Sequence, residues 1–256
     1  MTDQPPLPPG PSPEQLPPPV EPQPRRDPFW SYVDLVVFIG AALPSLLLGL
    51  GIVKLVYWVL RWHPKNDALV LLPAQALGYM LLFGVLVAIF RTYGQPFWHS
   101  IGWVTPALPS VLIVGAGWGA AIGVAVIGTL IRTPQSENDI TKLLKDPMSI
   151  VLMAIFGVLI APACEELAFR GFLQPLLVRS FGVWPGVLGA AVPFGLLHFR
   201  EYGNSWKHAL IISMAGAAFG WMRQAARSTL ASALMHASYN GLVFAMFLAA
   251  RSAGKA

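Results

Sequence analysis

The chain has one cysteine, Cys164, and only twelve acidic residues among 256. A lone cysteine excludes an intrachain disulfide and any zinc site built on cysteines, and it leaves the redox compartment unread. Charged residues make up 11% of the chain, where a soluble domain carries roughly 25%. Several catalytic signatures are also missing. There is no H-E-x-x-H helix, no G-x-S-G or G-x-G-D motif and no Walker-type phosphate loop. What is abundant is apolar surface, at 55% of residues, so the solvent for most of the chain is lipid. A net charge of +5 raises the question of nucleic acid. The Lys and Arg are scattered through short loops between apolar runs, a distribution that fits anionic lipid head groups better than a nucleic-acid footprint, and no nucleic-acid partner is expected.

Residues 1–28 hold twelve of the 24 prolines and almost no bulky apolar side chains. Such a tract cannot bury enough surface to offset chain entropy, so it reads as a disordered, partly polyproline tail. Its PPLPP and PPPVEPQP stretches offer ligands to a proline-binding partner, although a passive tail is the plainer reading. It lacks the apolar core of a signal peptide. Phe29 and Trp30 then read as an interfacial anchor for the first span.

Seven apolar runs follow, at about residues 32–60, 68–90, 108–131, 148–163 (continuing helically to about 179), 184–198, 209–222 and 230–249. A span needs about 20 helical residues, so some of these are short for a full crossing. Pro44 and Lys54 interrupt the first, which is then either one kinked span or a span plus a re-entrant piece. Gln95–Trp103 reads as an interfacial segment with two Trp at head-group depth. The expected fold is an all-α, polytopic transmembrane bundle of about seven or eight helices, in a bacterial cell membrane. Its division is the tail 1–28, N-terminal helices and interfacial segment 29–147, a catalytic core 148–249 and a C-terminal tail 250–256. Basic residues fall on both sides of seven crossings, so no topology is assigned.

Nine of the acidic residues lie in the tail or in loops, leaving Asp34, Glu165 and Glu166 at or within apolar runs. Asp34 is interfacial, and Lys54 snorkels. Glu165 and Glu166 have apolar neighbours on both sides, which costs a few kcal/mol unless the carboxylates are paired or face a wet cavity. Arg170, one turn on, can pair with Glu166, while Glu165 points about 100° away on the helix. A purely structural Glu–Arg pair is the plain alternative. His198 closes one run, and His236 and Asn240 share a helix face in another. Each imidazole alone reads more readily as a hydrogen-bonded core residue. Together, on three helices, these groups supply what activates water and holds an oxyanion, and equally what binds zinc. Spacing does not separate the two chemistries.

Glu165-Glu166-Leu-Ala-Phe-Arg170, Phe194-Gly-Leu-Leu-His198 and His236-Ala-Ser-Tyr-Asn240, in that order, resemble the CPBP (ABI) intramembrane proteases, which include type II CAAX prenyl endopeptidases. The resemblance covers about residues 148–245 and implies a conical internal cavity open to lipid and to one aqueous face. It implies cleavage near the C-terminus of a membrane-associated, in some members prenylated, peptide or protein. In that reading Glu165 and His198 activate water, and His236 and Asn240 hold the oxyanion. Glu166 and Arg170 support the site, and Phe194 packs beneath His198. A divalent metal such as zinc, held by Glu165, His198 and His236, and a metal-independent glutamate mechanism both remain open. So do a non-proteolytic scaffold or bacteriocin-immunity protein and an ion-coupled transporter, the last against the lack of inverted repeats.

Overall fold

The computed structural model describes residues 27–134, 144 and 146–254. The proline-rich tail, apart from Asp27 and Pro28, lies outside them, as do most of the polar stretch before the fourth run and the last two residues. Eight helices and no strand occur among the described residues: α1 (Tyr32–Val59), α2 (Ala68–Thr92), α3 (Phe97–Ser100), α4 (Ser110–Leu130), α5 (Pro147–Phe181), α6 (Val183–Leu197), α7 (Trp206–Ala225) and α8 (Thr229–Ala253). The protein is an all-helical integral membrane bundle. Five helices, α1, α2, α4, α5 and α8, are long and apolar enough to cross a membrane. The remaining two runs differ from a full crossing. With 15 residues, α6 reaches about 22 Å, less than a ~30 Å hydrocarbon core. α7 is long enough but more polar, and it packs chiefly on α6.

α1 is one continuous helix through Pro44 and Lys54, with no re-entrant piece. At its start Asp34 accepts hydrogen bonds from the Ser31 N–H at 2.8 Å and from the Tyr93 hydroxyl at 2.9 Å. The carboxylate therefore serves as half of a capping box. Trp30 departs from the expected interfacial anchor. It is 2% exposed, stacks on Phe90 and Phe172, and donates its indole N–H to the Phe172 carbonyl at 3.0 Å. The indole finds a carbonyl acceptor on α5, 142 residues away, and no local sequence pattern announces that partner.

Glycines set how closely α1 and α2 approach. A Cβ on Gly49 would lie 2.5 Å from the Ala74 carbonyl oxygen and 2.7 Å from the Gly78 nitrogen. Both are backbone atoms, so the helices must separate to admit a methyl group. Gly49→Ala is expected to cost roughly 1–3 kcal/mol, read as a lower melting temperature in detergent. Gly51→Ala, whose Cβ meets nothing within 4 Å, is the matched control and should leave it unchanged.

α5 carries the acidic pair and is not uniformly α-helical. Two π-helical stretches, Phe156–Ile160 and Leu167–Leu173, flank the α-turn that holds Glu165 and Glu166. Each stretch ends two residues before a proline, Pro162 or Pro175. In the π register the N–H that would meet the Gly157 carbonyl belongs to Pro162, which has none. Asn240 Nδ2 on α8 donates to that carbonyl instead, at 2.8 Å. Gly182 alone links α5 to α6, at φ 86°, a conformation open to glycine.

Candidate active site

The acidic pair divides into an enclosed member and an open one. Glu166 has no exposed surface. Its Oε1 accepts from Arg170 Nη1 at 3.0 Å and His236 Nδ1 at 2.9 Å, and its Oε2 from Ser232 Oγ at 2.5 Å. Arg170 is equally buried; its Nη2 donates to the Gly216 carbonyl of α7 at 2.6 Å, and its guanidinium lies 4.5 Å from the Phe194 ring centre. This knot ties α5, α7 and α8 together around one carboxylate. Glu165 keeps 20% of its side chain exposed, and its Oε2 lies 3.9 Å from His236 Nε2. That separation is beyond a direct hydrogen bond and suits a bridging water.

The two imidazoles have defined protonation at one nitrogen each. His198 Nδ1 lies 2.9 Å from the Phe194 carbonyl oxygen, and His236 Nδ1 faces the Glu166 carboxylate. Both partners only accept, so each Nδ1 carries its hydrogen. In the neutral rings Nε2 is therefore a lone pair, available to take a proton. His236 is clamped further by stacking on Phe219, with ring centres 4.3 Å apart.

Glu165, His198, His236 and Asn240 line one cavity of about 360 Å³. Glu166 and Arg170 lie behind it, and Phe194 lines it next to His198. A second, mostly apolar cavity of about 730 Å³ runs between α1, α2, α5 and α6. Five residues border both spaces: Gln75, Glu165, Phe194, His198 and Glu201. The two hollows thus meet at the open carboxylate and the His198 imidazole.

Among the described residues no three His, Cys, Asp or Glu side chains come together as a set able to hold a metal ion. Glu165, His198 and His236 do not supply three converging donors in this arrangement.

Several further residues in and around this cavity join the motif residues. Glu201 and Tyr202 line it from the turn just past His198, a polar stretch between two apolar runs. Burial pushes the Tyr202 phenol above its ordinary range, so it stays a hydroxyl donor. Ser232 lies one turn before His236 on the face that His236 shares with Asn240, a spacing the sequence does display. Gln75 was hidden as a single amide in an apolar span.

Residues 147–242 match the family model of type II CAAX prenyl endopeptidase Rce1-like. That stretch contains all three motifs, and it begins and ends within three residues of the span of about 148–245 over which the sequence resembles the family. No curated protein and no solved structure matches the chain.

Proposed function

We propose that this protein is an intramembrane endopeptidase that cleaves a lipid-bearing peptide or protein near its C-terminus by attack of water. The observation that carries this reading is the junction of the two cavities at Glu165 and His198. A substrate with its lipid chain in the apolar cavity presents its adjoining peptide bond to those two groups. Cavities of this size bury most of a small ligand's surface, and an isoprenoid chain matches an apolar lining.

The hydrogen-bond assignments of the two imidazoles and Asn240 support a water-activation scheme. Glu165, with His198 Nε2 beside it, takes a proton from water as the oxygen attacks the scissile carbonyl carbon. Negative charge then collects on the carbonyl oxygen. The second N–H of Asn240 Nδ2 stabilises it, joined by His236 once its Nε2 has taken up the proton that Glu165 drew from the water. As the C–N bond breaks, the proton passes to the leaving amine. A new carboxylate and a shortened C-terminal fragment are released. Glu166 and Arg170 hold His236 and the helix carrying Glu165 in place.

Purified protein in detergent is expected to release a C-terminal fragment from an S-farnesyl peptide ending in Cys-aliphatic-aliphatic-X. The unlipidated peptide should be cleaved at least tenfold more slowly, because it forgoes burial of the chain. An arm containing phenanthroline reports whether a metal takes part. Failure to cleave lipidated peptides in either arm, with the protein folded, would sink the reading.

A further inference from the structure

Gln75 lies outside the stretch that matches the family model, on α2, and has no place in the steps above. It is nonetheless one of the five residues that border both cavities. Its span, Ala68–Thr92, offers no other side-chain amide and no ionisable group before Tyr79. An amide in such surroundings is unfavourable unless it is hydrogen-bonded or faces a polar ligand.

Its bonding pattern is not that of a structural tie. Gln174, a buried amide on α5, donates across to the Gly220 carbonyl of α7 at 3.0 Å and so joins two helices. Gln75 Nε2 donates only to the Tyr79 hydroxyl at 2.9 Å, one turn along its own helix. Tyr79 in turn packs on Phe156 in the first π stretch of α5, with rings 12° from parallel. The tyrosine thus holds the amide at one nitrogen and is itself held against α5. The remaining N–H and the whole of Oε1 have no partner among the described residues, on a half-buried side chain at the junction.

We infer that Gln75 is a substrate-positioning residue whose Oε1 accepts a hydrogen bond from the backbone N–H of the substrate residue that carries the lipid chain. This rests on the endopeptidase reading. A residue with its chain in the apolar cavity and its carbonyl between Glu165 and His198 has its own N–H one bond from the same Cα, at the border where Gln75 sits. Every other hydrogen-bonding side chain on that border, Glu165, His198 and Glu201, is ionisable. A neutral amide recognises a neutral peptide group without changing the charge that the water-activating pair experiences. The bond also fixes the face of the carbonyl that meets the attacking water.

The test pairs an enzyme change with a substrate change. Gln75→Leu is expected to lower kcat/KM on the S-farnesyl peptide about tenfold, with an unchanged pH profile. A probe in which the peptide bond preceding the lipid-bearing residue is an ester lacks the N–H in question. Wild type should lose a similar factor on that probe, whereas Gln75→Leu should lose little more, because the same bond is already gone. A merely structural glutamine would give losses that multiply, and that result overturns the proposal. Tyr79→Phe should fall between wild type and Gln75→Leu. Should Gln75→Leu fail to fold, Gln75→Met, unbranched like the native side chain, takes its place in the cycle. Absence of wild-type turnover on either probe overturns the endopeptidase reading and this inference together, whereas turnover with multiplying losses overturns only the role of Gln75.

Discussion

Glu166→Leu is expected to cost roughly 3–5 kcal/mol of stability, the largest effect of any single side-chain replacement in the bundle. The change leaves Arg170 without exposed surface and without its hydrogen-bonded counter-charge, with the Gly216 carbonyl and the rings of Phe169, Phe194 and Phe219 around it and only the more distant Glu165 carboxylate acting on it. It also strips the acceptor from His236 Nδ1 and leaves Ser232 Oγ with the Phe219 carbonyl alone. Arg170→Met should be similarly severe, since a buried carboxylate is then left with two neutral donors. The double variant should be milder than the sum of its parts, because no uncompensated charge remains. It does not return to wild type, as His236 Nδ1 still lacks an acceptor. Melting temperatures of the four proteins in one detergent decide the matter. Strictly additive losses would show that the pair is not coupled.

The neighbouring residue should behave in the opposite way. Glu165→Gln is expected to lower cleavage by about 10²–10⁴-fold, the span over which a positioned general base contributes. The melting temperature should change little. Glu165 is partly exposed in a cavity, and its nearest charged partner, His236 Nε2, stands 3.9 Å away. Glutamine preserves shape and loses only the ability to take a proton. His198→Gln should produce a comparable loss, because Nε2 is the second acceptor at the same junction. Full activity in Glu165→Gln would remove the basis for the water-activation scheme. Two adjacent glutamates, one governing stability and the other turnover, is a division that measurements of both quantities resolve cleanly.

Much of this division was legible beforehand. A carboxylate with an arginine one turn away reads as a pair, and the second carboxylate, about 100° round the helix, reads as facing elsewhere. The boundaries of the apolar runs fall within a few residues of the helices because hydrocarbon imposes a length that composition reveals. Other features were not legible, for physical reasons. Trp30 looked like a head-group anchor because an indole beside a span usually is one, and its acceptor at Phe172 is remote in the chain. Glu201 looked like a loop residue because hydropathy reports solvent only on average, and the turn after His198 folds back over the cavity. Gln75 carries no signal in the sequence, since a single amide barely changes the hydropathy of an apolar run. The π stretches were invisible as well. Helical periodicity does not distinguish one widened turn from a normal one, although the prolines that end both were in plain view.

Those widened turns let α5 carry extra residues without losing its phase. Each π turn holds about one residue more than an α-turn, and one residue corresponds to about 100° of rotation. The ends of α5 are fastened: Asp146 caps its start and bonds Asn66, while Arg179 near its end holds the Pro28 and Trp30 carbonyls. Because that extra residue is taken up within the widened turn, the turns on either side keep their mutual azimuth. Removing one residue from a single π stretch would close it to an α-turn with Glu165 and Glu166 still aimed as they are, whereas removing one from the α-turn between the stretches would swing the rest of the helix by about 100°. A lineage carrying this helix can therefore lose a residue at either π stretch and keep both its acids and its fastened ends in place.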